Sequence, residues 1–531
     1  MEPTLAQFID GSENNKAAAA AIKEQEQFRQ LQKNFIAQYK SIFDDKMAAK
    51  TVIIVPSLTL DAGILDKVDG VMYYEERMLC LLMLLRMPHT HIIYITSMPI
   101  DTAIVDYYIH LLPGITGYHA RQRLTLLSCF DASGKPLTEK ILERPRMLQR
   151  IKNSIPHNHP AHLSCFNVTY MERALAVKLQ IPIYGCDPDL LHLGSKSMGR
   201  KIFRTAGITI PEGFEDLSSI DDIVLSLYTL KLNNPLLTKS IVKINDGFSG
   251  DGNAVFSYDE APPFEALYEW IKQELPWKLH IVAADINFAM FKEKFELMGG
   301  IVEAFIPGEL KNSPSVQCRI NPLGQIDIIS THDQLLGGES NQVFLGATFP
   351  ANEEYAKAIG EQGWIIANEL KKFGVLGRFS VDFISVKEAG KWIHYAIEIN
   401  LRKGGTTHPY LMLQFLTDGE YDADKGVYLT ANKQQRFYLC SDNLQSHEYK
   451  GLTPHDLIDI AMCNGLLYDG SSQQGVIFHL ISTLSQHGKL GVVCIADTPA
   501  HAEQFYIKTI EVLHQEVNAA NNNGTITDSP C

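Results

Sequence analysis

The chain has 531 residues, 45% of them apolar and 20% charged, the balance of a soluble globular protein. At ~150 residues per domain this length implies roughly three domains or subdomains. Forty-seven Lys and Arg against 61 Asp and Glu leave a net charge of −14, which argues against a general nucleic-acid binder because that class needs a basic surface.

No segment reaches the ~20 apolar residues of a membrane helix; the run from Met78 to Leu85 stops at Arg86. The early charges Glu2, Asp10 and Glu13 do not form a signal peptide. Nine scattered cysteines without a CxxC pair read as reduced, buried thiols, so a cytoplasmic location is expected.

In chain order, Lys16 to Lys46 reads as one helix, with Phe28, Leu31, Phe35, Ile36 and Tyr39 at helical spacing. Thr51 to Pro56 and His91 to Thr96 are short buried strands on either side of a helix from Glu75 to Met87. That alternation predicts a parallel, Rossmann-like sheet with covered faces, ending near residue 190. Ser195 to Ala206 reads as a helix stopped by Gly207 and Pro211. A strand-rich stretch follows: Ser240–Ile244, Ile301–Phe305, Val316–Ile320 and Gln325–Ile329. Arg378–Val386 and Trp392–Asn400 form a hairpin around the five residues 387–391. A last unit starts near Lys433, with helices capped at Thr453-Pro454 and Thr498-Pro499 and a strand from Gly491 to Ala496. The tail from Asn518 is Asn-, Ser- and Thr-rich and reads as disordered.

Three stretches carry chemistry. In the first, Lys243 sits on an apolar strand that runs into Gly247-Phe-Ser249-Gly250-Asp-Gly252. Such glycines let backbone N–H groups approach phosphate, and the lysine adds a fixed charge. A plain hairpin turn with a solvated lysine is the competing reading. In the second, Asp382 on one strand and Glu398 and Asn400 on the next share a face if Val386 pairs with Trp392, so that Asp382 faces Ala396. Two carboxylates and an amide oxygen suit a hard cation such as Mg²⁺. An exposed polar edge is the alternative. In the third, Glu303-Ala-Phe305 ends a strand before Pro307-Gly308-Glu309, a backbone able to pair with an adenine edge and an acid able to meet ribose hydroxyls.

The order of these pieces, Lys196, Lys243, the Gly-rich loop, the Glu303 hinge, Asp382 and Glu398-x-Asn400, resembles the ATP-grasp ligases. Ser313–Gln317, Ser330–Gln334 and Glu398–Pro409 look further like the peptide ligases of the pheganomycin type. The likeness covers most of the chain outside the first ~45 residues and the tail. It implies an α/β chain, α+β in its grasp part: an N-terminal helical extension (1–46), a Rossmann-like pre-ATP-grasp domain (47–190), an ATP-grasp domain of two α+β subdomains (191–432), a small C-terminal α/β domain (433–517) and a tail (518–531). It implies ATP and Mg²⁺, or Mn²⁺ in its place, as cofactors, and a carboxylate and an amine as small-molecule substrates joined through an acyl phosphate. Nucleic acid and membrane are not among the implied partners, and a homo-oligomer is left open.

By the same resemblance, Lys196 and Lys243 hold phosphates, with Arg200 or Lys201 as substitutes for Lys196. Gly247, Ser249, Gly250 and Gly252 cover the phosphates, and Glu303, Phe305 and Glu309 hold the nucleoside. Asp382, Glu398 and Asn400 bind the metal. Arg402 stabilises the oxyanion, and Arg378 or Arg319 takes the substrate carboxylate. His332 and His408 are candidate substrate contacts, His408 as a base for the amine. The family's ribose acid would fall at Leu310, one residue beyond Glu309. Two other readings compete: an ATP-grasp phosphotransferase acting on a small molecule, and a catalytically silent ATP-binding regulatory protein.

Overall fold

The computed structural model describes residues 6–523 apart from 44, 61–64, 66–69, 247–251, 284 and 338–342. It divides into two compact units, Met1–Pro188 with Asn321–Gln325, and Asp189–Ile320 with Ile326–Cys531.

The first unit is built on four strands, β1 (Lys50–Val55), β2 (Thr90–Thr96), β3 (Leu124–Ser128) and β4 (Ala161–Cys165), in the order β3-β2-β1-β4. All three pairings are parallel. Every residue of β1 is buried, as expected of a strand covered on both faces. The first crossover, Val71–Arg86, is wound as a 3₁₀ helix where the sequence predicts an α-helix. The N-terminal helix runs from Ala6 to Ile42, starting earlier than expected. It docks on its own unit. Phe28 and Phe35 are fully buried, and Phe35, Tyr39 and Phe43 form a ring cluster with Tyr184. The Gln32 side chain both donates to the Ile183 carbonyl (3.0 Å) and accepts from the Ile183 N–H (2.9 Å).

The second unit holds two antiparallel sheets. The smaller contains β5 (Gly213–Leu217), β6 (Lys239–Ile244), β7 (Asn253–Ser257), β8 (Leu279–Ile281) and β9 (Gly300–Ala304), in the order β5-β9-β6-β7-β8. The helices Ile220–Asn233 and Phe264–Lys278 cover it, burying Leu227, Val242, Phe256, Leu267 and Ile271 in one core. The larger sheet begins with β10 (Lys311–Asn312), β11 (Pro314–Ile320), β12 (Ile326–Gly337), β13 (Val343–Phe349), β14 (Gly377–Glu388) and β15 (Lys391–Asn400). A separate two-stranded hairpin, β16 (Glu420–Asp422) and β17 (Val427–Leu429), follows. The large sheet is completed by β18 (Phe437–Gln445), β19 (Gly475–His479) and β20 (Lys489–Ala496), giving the order β10-β14-β11-β12-β13-β18-β20-β19 with β15 on the free edge of β14. The C-terminal strands therefore extend the sheet of the preceding segment through β13–β18 pairing.

Three expectations need correction. The turn between β14 and β15 is the two residues Ala389-Gly390, both at positive φ (48° and 80°), not a five-residue loop. A tight turn of this kind matches the twist of the flanking strands. The last helix, Pro499–Asn523, extends six residues into the tail expected to be disordered. Among the described residues seven cysteines are free and buried as expected, but Cys463 is disulfide-bonded.

Candidate active site

The hairpin β14–β15 sets the centre of the site. Lys387 pairs with Trp392, one step from the expected register, and a bulge between Asp382 and Phe383 shifts the pairing again. Asp382 thus lies directly opposite Glu398, and Ser380 opposite Asn400. On the other side of β14, Ser315 of β11 is opposite Asp382. Ser315 Oγ and Gln334 Nε2 donate to Asp382 Oδ1 (2.6 and 3.0 Å), and Asn400 Nδ2 donates to Oδ2 (2.9 Å). Burial and the facing Glu398 push the Asp382 carboxyl up to about 6. Burial alone would raise Glu398 too, but the Lys196 ammonium outweighs it and holds Glu398 below the usual carboxylate range.

Lys196 reaches this point because Ser195 caps its helix (Met198 N–H to Ser195 Oγ, 3.3 Å). Asn245, at the end of β6, accepts from the Ser197 N–H through Oδ1 (2.9 Å) and from the Lys196 N–H through its carbonyl (3.2 Å). The first turn of that helix is thereby tied to the strand of Lys243. Lys196 Nζ then ion-pairs with Glu398, and Lys243 Nζ with Glu303. Glu303 takes a second cation, Arg200 Nη1 (3.2 Å), which also donates to Glu215 and to the Pro211 carbonyl. The two lysines and three acidic groups named for phosphate, hinge and metal are thus brought together.

Lys311 joins them. Its ammonium lies 4.4 Å from the centre of the Phe305 ring and donates to the Ile306 carbonyl (3.2 Å). Burial, with Lys243 adding to it, lowers its pKa. Arg402 lies just past β15, where its N–H turns back to the Asn400 carbonyl (2.8 Å), rather than continuing the strand face. It remains within electrostatic reach of both Asp382 and Glu398.

Further along the same face, Gln317 is opposite Ser380, and Arg319 is opposite Arg378. Gln317 Nε2 donates to Thr406 Oγ1 (2.8 Å), so the loop after β15 folds over this row. Arg319 grips Asp327 through Nε and Nη2 (2.9 and 2.8 Å), and Arg319 and Arg378 both lie near the Tyr410 phenol.

Other candidates fall elsewhere. His332 is wholly buried, its Nε2 2.6 Å from Tyr438 Oη and its ring beside Phe349, so it faces the aromatic core rather than a substrate. His408 is also buried, its ring 4.3 Å from that of His479, which removes it from the role of an open base. Glu309 is exposed on the turn after the hinge with no bond to the cluster among the described residues. Gly252 closes the base of the Gly-rich hairpin by accepting from the Ile244 N–H (2.9 Å); Gly247, Ser249 and Gly250 lie outside the described residues.

Sequence reasoning missed Ser315, Gln334 and Lys311 as site residues. The alternation Ser315-x-Gln317-x-Arg319 is the signal that marks one polar strand face.

The donor set fits a hard divalent cation: two carboxylates in direct opposition whose repulsion is already visible in Asp382, and which already attract an ammonium. Among the described residues no group of three His, Cys, Asp or Glu side chains suits a metal, so the Asn400 amide is needed as a third donor.

Comparison with known proteins is consistent with this geometry. Residues 264–424 match the family described as "IQCH-like, ATP-grasp", and residues 456–509 match "PGM1 C-terminal domain". The ATP-grasp match thus falls on the segment that carries Asp382, Glu398, Asn400 and Arg402. It is 25% identical over 464 residues to an L-propargylglycine–L-glutamate ligase of Streptantibioticus cattleyicolor, covering 86% of this chain and 92% of that one. It is 23% identical to the IQ motif-containing protein H of Danio rerio, over 95% of this chain but 52% of that protein, so it spans about half of that relative. Among solved structures, a biotin carboxylase–ATP complex from Campylobacter jejuni superposes with a TM-score of 0.52 at 12% identity, over 90% of this chain and 97% of that one. That likeness establishes a shared ATP-grasp fold. No helix among the described residues is long and apolar enough to cross a membrane.

Proposed function

We propose that this chain is an ATP-dependent carboxylate–amine ligase that works through an acyl phosphate and releases ADP and phosphate. The observation that carries this reading is the convergence of Lys196, Lys243, Asp382, Glu398 and Asn400 on one point, each acid already paired with a cation or a donor. A silent nucleotide binder does not need that full set. The S. cattleyicolor relative, by its name a ligase joining two amino acids, supports amino-acid substrates.

In the first step a substrate carboxylate oxygen attacks the γ-phosphorus of ATP, and the bond from that phosphorus to the leaving ADP breaks. Protein groups in such a transfer mainly position and neutralise. Lys196, Lys243 and Lys311 would bind phosphate oxygens, with Gly252 at the base of the loop covering them. The strand end Glu303–Phe305 would face the nucleoside. Asp382, Glu398 and Asn400 would hold Mg²⁺, which supplies Lewis-acid neutralisation of phosphate charge when bound. Nucleotide binding exchanges the Lys196–Glu398 ion pair for a lysine–phosphate contact and frees Glu398 as a ligand. Arg378, with Arg319 beside it, would orient the carboxylate substrate. In the second step the amine nitrogen attacks the acyl carbon, Arg402 stabilises the tetrahedral oxyanion, the carbon–phosphate oxygen bond breaks and the amine proton leaves to solvent.

The test is isotopic. A carboxylate substrate labelled with ¹⁸O should deliver one labelled oxygen to the inorganic phosphate. Label retained wholly between amide and AMP would refute the acyl phosphate.

A further inference from the structure

The C-terminal strands hold a buried His–Asp pair that the reaction above does not use. Asp442 lies on β18 and His479 on β19, with β20 between them in the sheet. Asp442 Oδ1 nonetheless reaches His479 Nε2 at 2.8 Å. It crosses β20 at Gly491, the residue paired with His479, where a Cβ would come within 2.4 Å of three atoms of the imidazole. The carboxylate accepts, so His479 Nε2 carries the hydrogen. Among the described residues His479 Nδ1 is buried without a hydrogen-bond partner, and the His479 ring centre lies 4.3 Å from that of His408, the rings tilted by 30°.

A second glycine completes the arrangement. A Cβ at Gly405 would lie 2.7 Å from the Phe344 ring and 3.5 Å from Asp442 Oδ2. The segment from Gly404 to His408, which enters the helix Thr407–Thr417, therefore passes beside the same aspartate that bonds His479. Within it the Thr407 N–H bonds back to the Gly404 carbonyl (3.0 Å), and Thr406 accepts from Gln317. Gln317 is two residues along β11 from Ser315, the residue bonded to Asp382, which is about 7 Å of strand.

We infer that Asp442 and His479 are positioning residues: through the adjacent His408 ring they fix the Gly404–His408 segment, at the start of the Thr407–Thr417 helix, against Gln317 and so shape the acceptor side of the site. The C-terminal strands are on this account part of the catalytic unit. The inference rests on the ligase reading, but its first readout does not.

Two variants of the full chain test it, Asp442→Asn, which preserves shape, and His479→Gln. Hydrogen exchange of peptides spanning Gly404–His408 should accelerate at least tenfold in both, with β15 unchanged and MgADP affinity within twofold of wild type. Turnover with ATP and an amino-acid mixture should then lose tenfold or more in kcat at an unchanged KM for ATP. Unchanged loop exchange, acceleration spread evenly over both sheets, or a joint loss of MgADP affinity would overturn the inference. If the wild-type chain itself releases no ADP, the ligase reading fails, and the exchange comparison alone decides the positioning.

Discussion

Asp382 and Glu398 face each other directly across the β14–β15 hairpin, and burial together with that facing carboxylate raises the Asp382 pKa to about 6. In the unfolded chain that pKa is ~3.9. The folded state therefore holds the proton more tightly, and this contribution to stability is fully present below pH ~4 and lost as pH rises to 6. A divalent cation needs the carboxylate ionised and competes with that proton. Mn²⁺ titrated into the nucleotide-free chain should bind about tenfold more weakly per pH unit below 6 and level off above it. Affinity that stays flat from pH 5 to 7.5 would remove Asp382 from the ligand set.

Lys196 ion-pairs with Glu398 and so competes with a metal ion for that carboxylate. Lys196→Met should tighten nucleotide-free Mn²⁺ binding by about tenfold, a gain of ~1.4 kcal/mol. The same variant should lose at least a hundredfold in ATP turnover. Weaker metal binding in the variant would contradict the exchange of partners described above.

Much of this site is legible in the sequence because strands alternate. Glu398 and Asn400 declare one face by their spacing, and Lys243 with the glycines after it marks a phosphate loop. The register was not legible. It is set by a two-residue turn that Ala389 enters at positive φ and by a bulge near Asp382, neither of which has a strong local signal. His332 shows the opposite failure: a polar residue in a motif-like run whose strand happens to face the aromatic core. The pairing of β13 with β18 joins residues about 90 apart and could not be read from either segment alone.

His332 gives a second pH dependence with the opposite sign. Burial pushes its imidazole down to about 3, against ~6.5 unfolded. Stability from keeping it neutral is complete above pH 6.5 and is lost below, by up to ~1.4 kcal/mol per pH unit. Denaturant unfolding of wild type and His332→Phe between pH 6.5 and 4.5 should show the shallower slope in the variant, whatever its constant offset. Parallel slopes would mean that His332 does not titrate on unfolding.

Arg378 and Arg319 stand opposite each other, and Asp327 is bound to Arg319. Arg378→Ala should raise KM for the carboxylate substrate by tenfold or more while leaving KM for ATP unchanged. An effect on KM for ATP alone would place Arg378 on the nucleotide side.

Product analysis decides whether the chain joins a carboxylate to an amine at the expense of ATP. The purified chain is incubated with ATP, Mg²⁺ and mixed amino acids including L-glutamate, and nucleotides and amides are followed by mass spectrometry. ADP, phosphate and a new amide mass in equal amounts are expected, all three abolished in Lys243→Ala. AMP with pyrophosphate, or ADP with a stable phosphorylated product and no amide, would contradict the account.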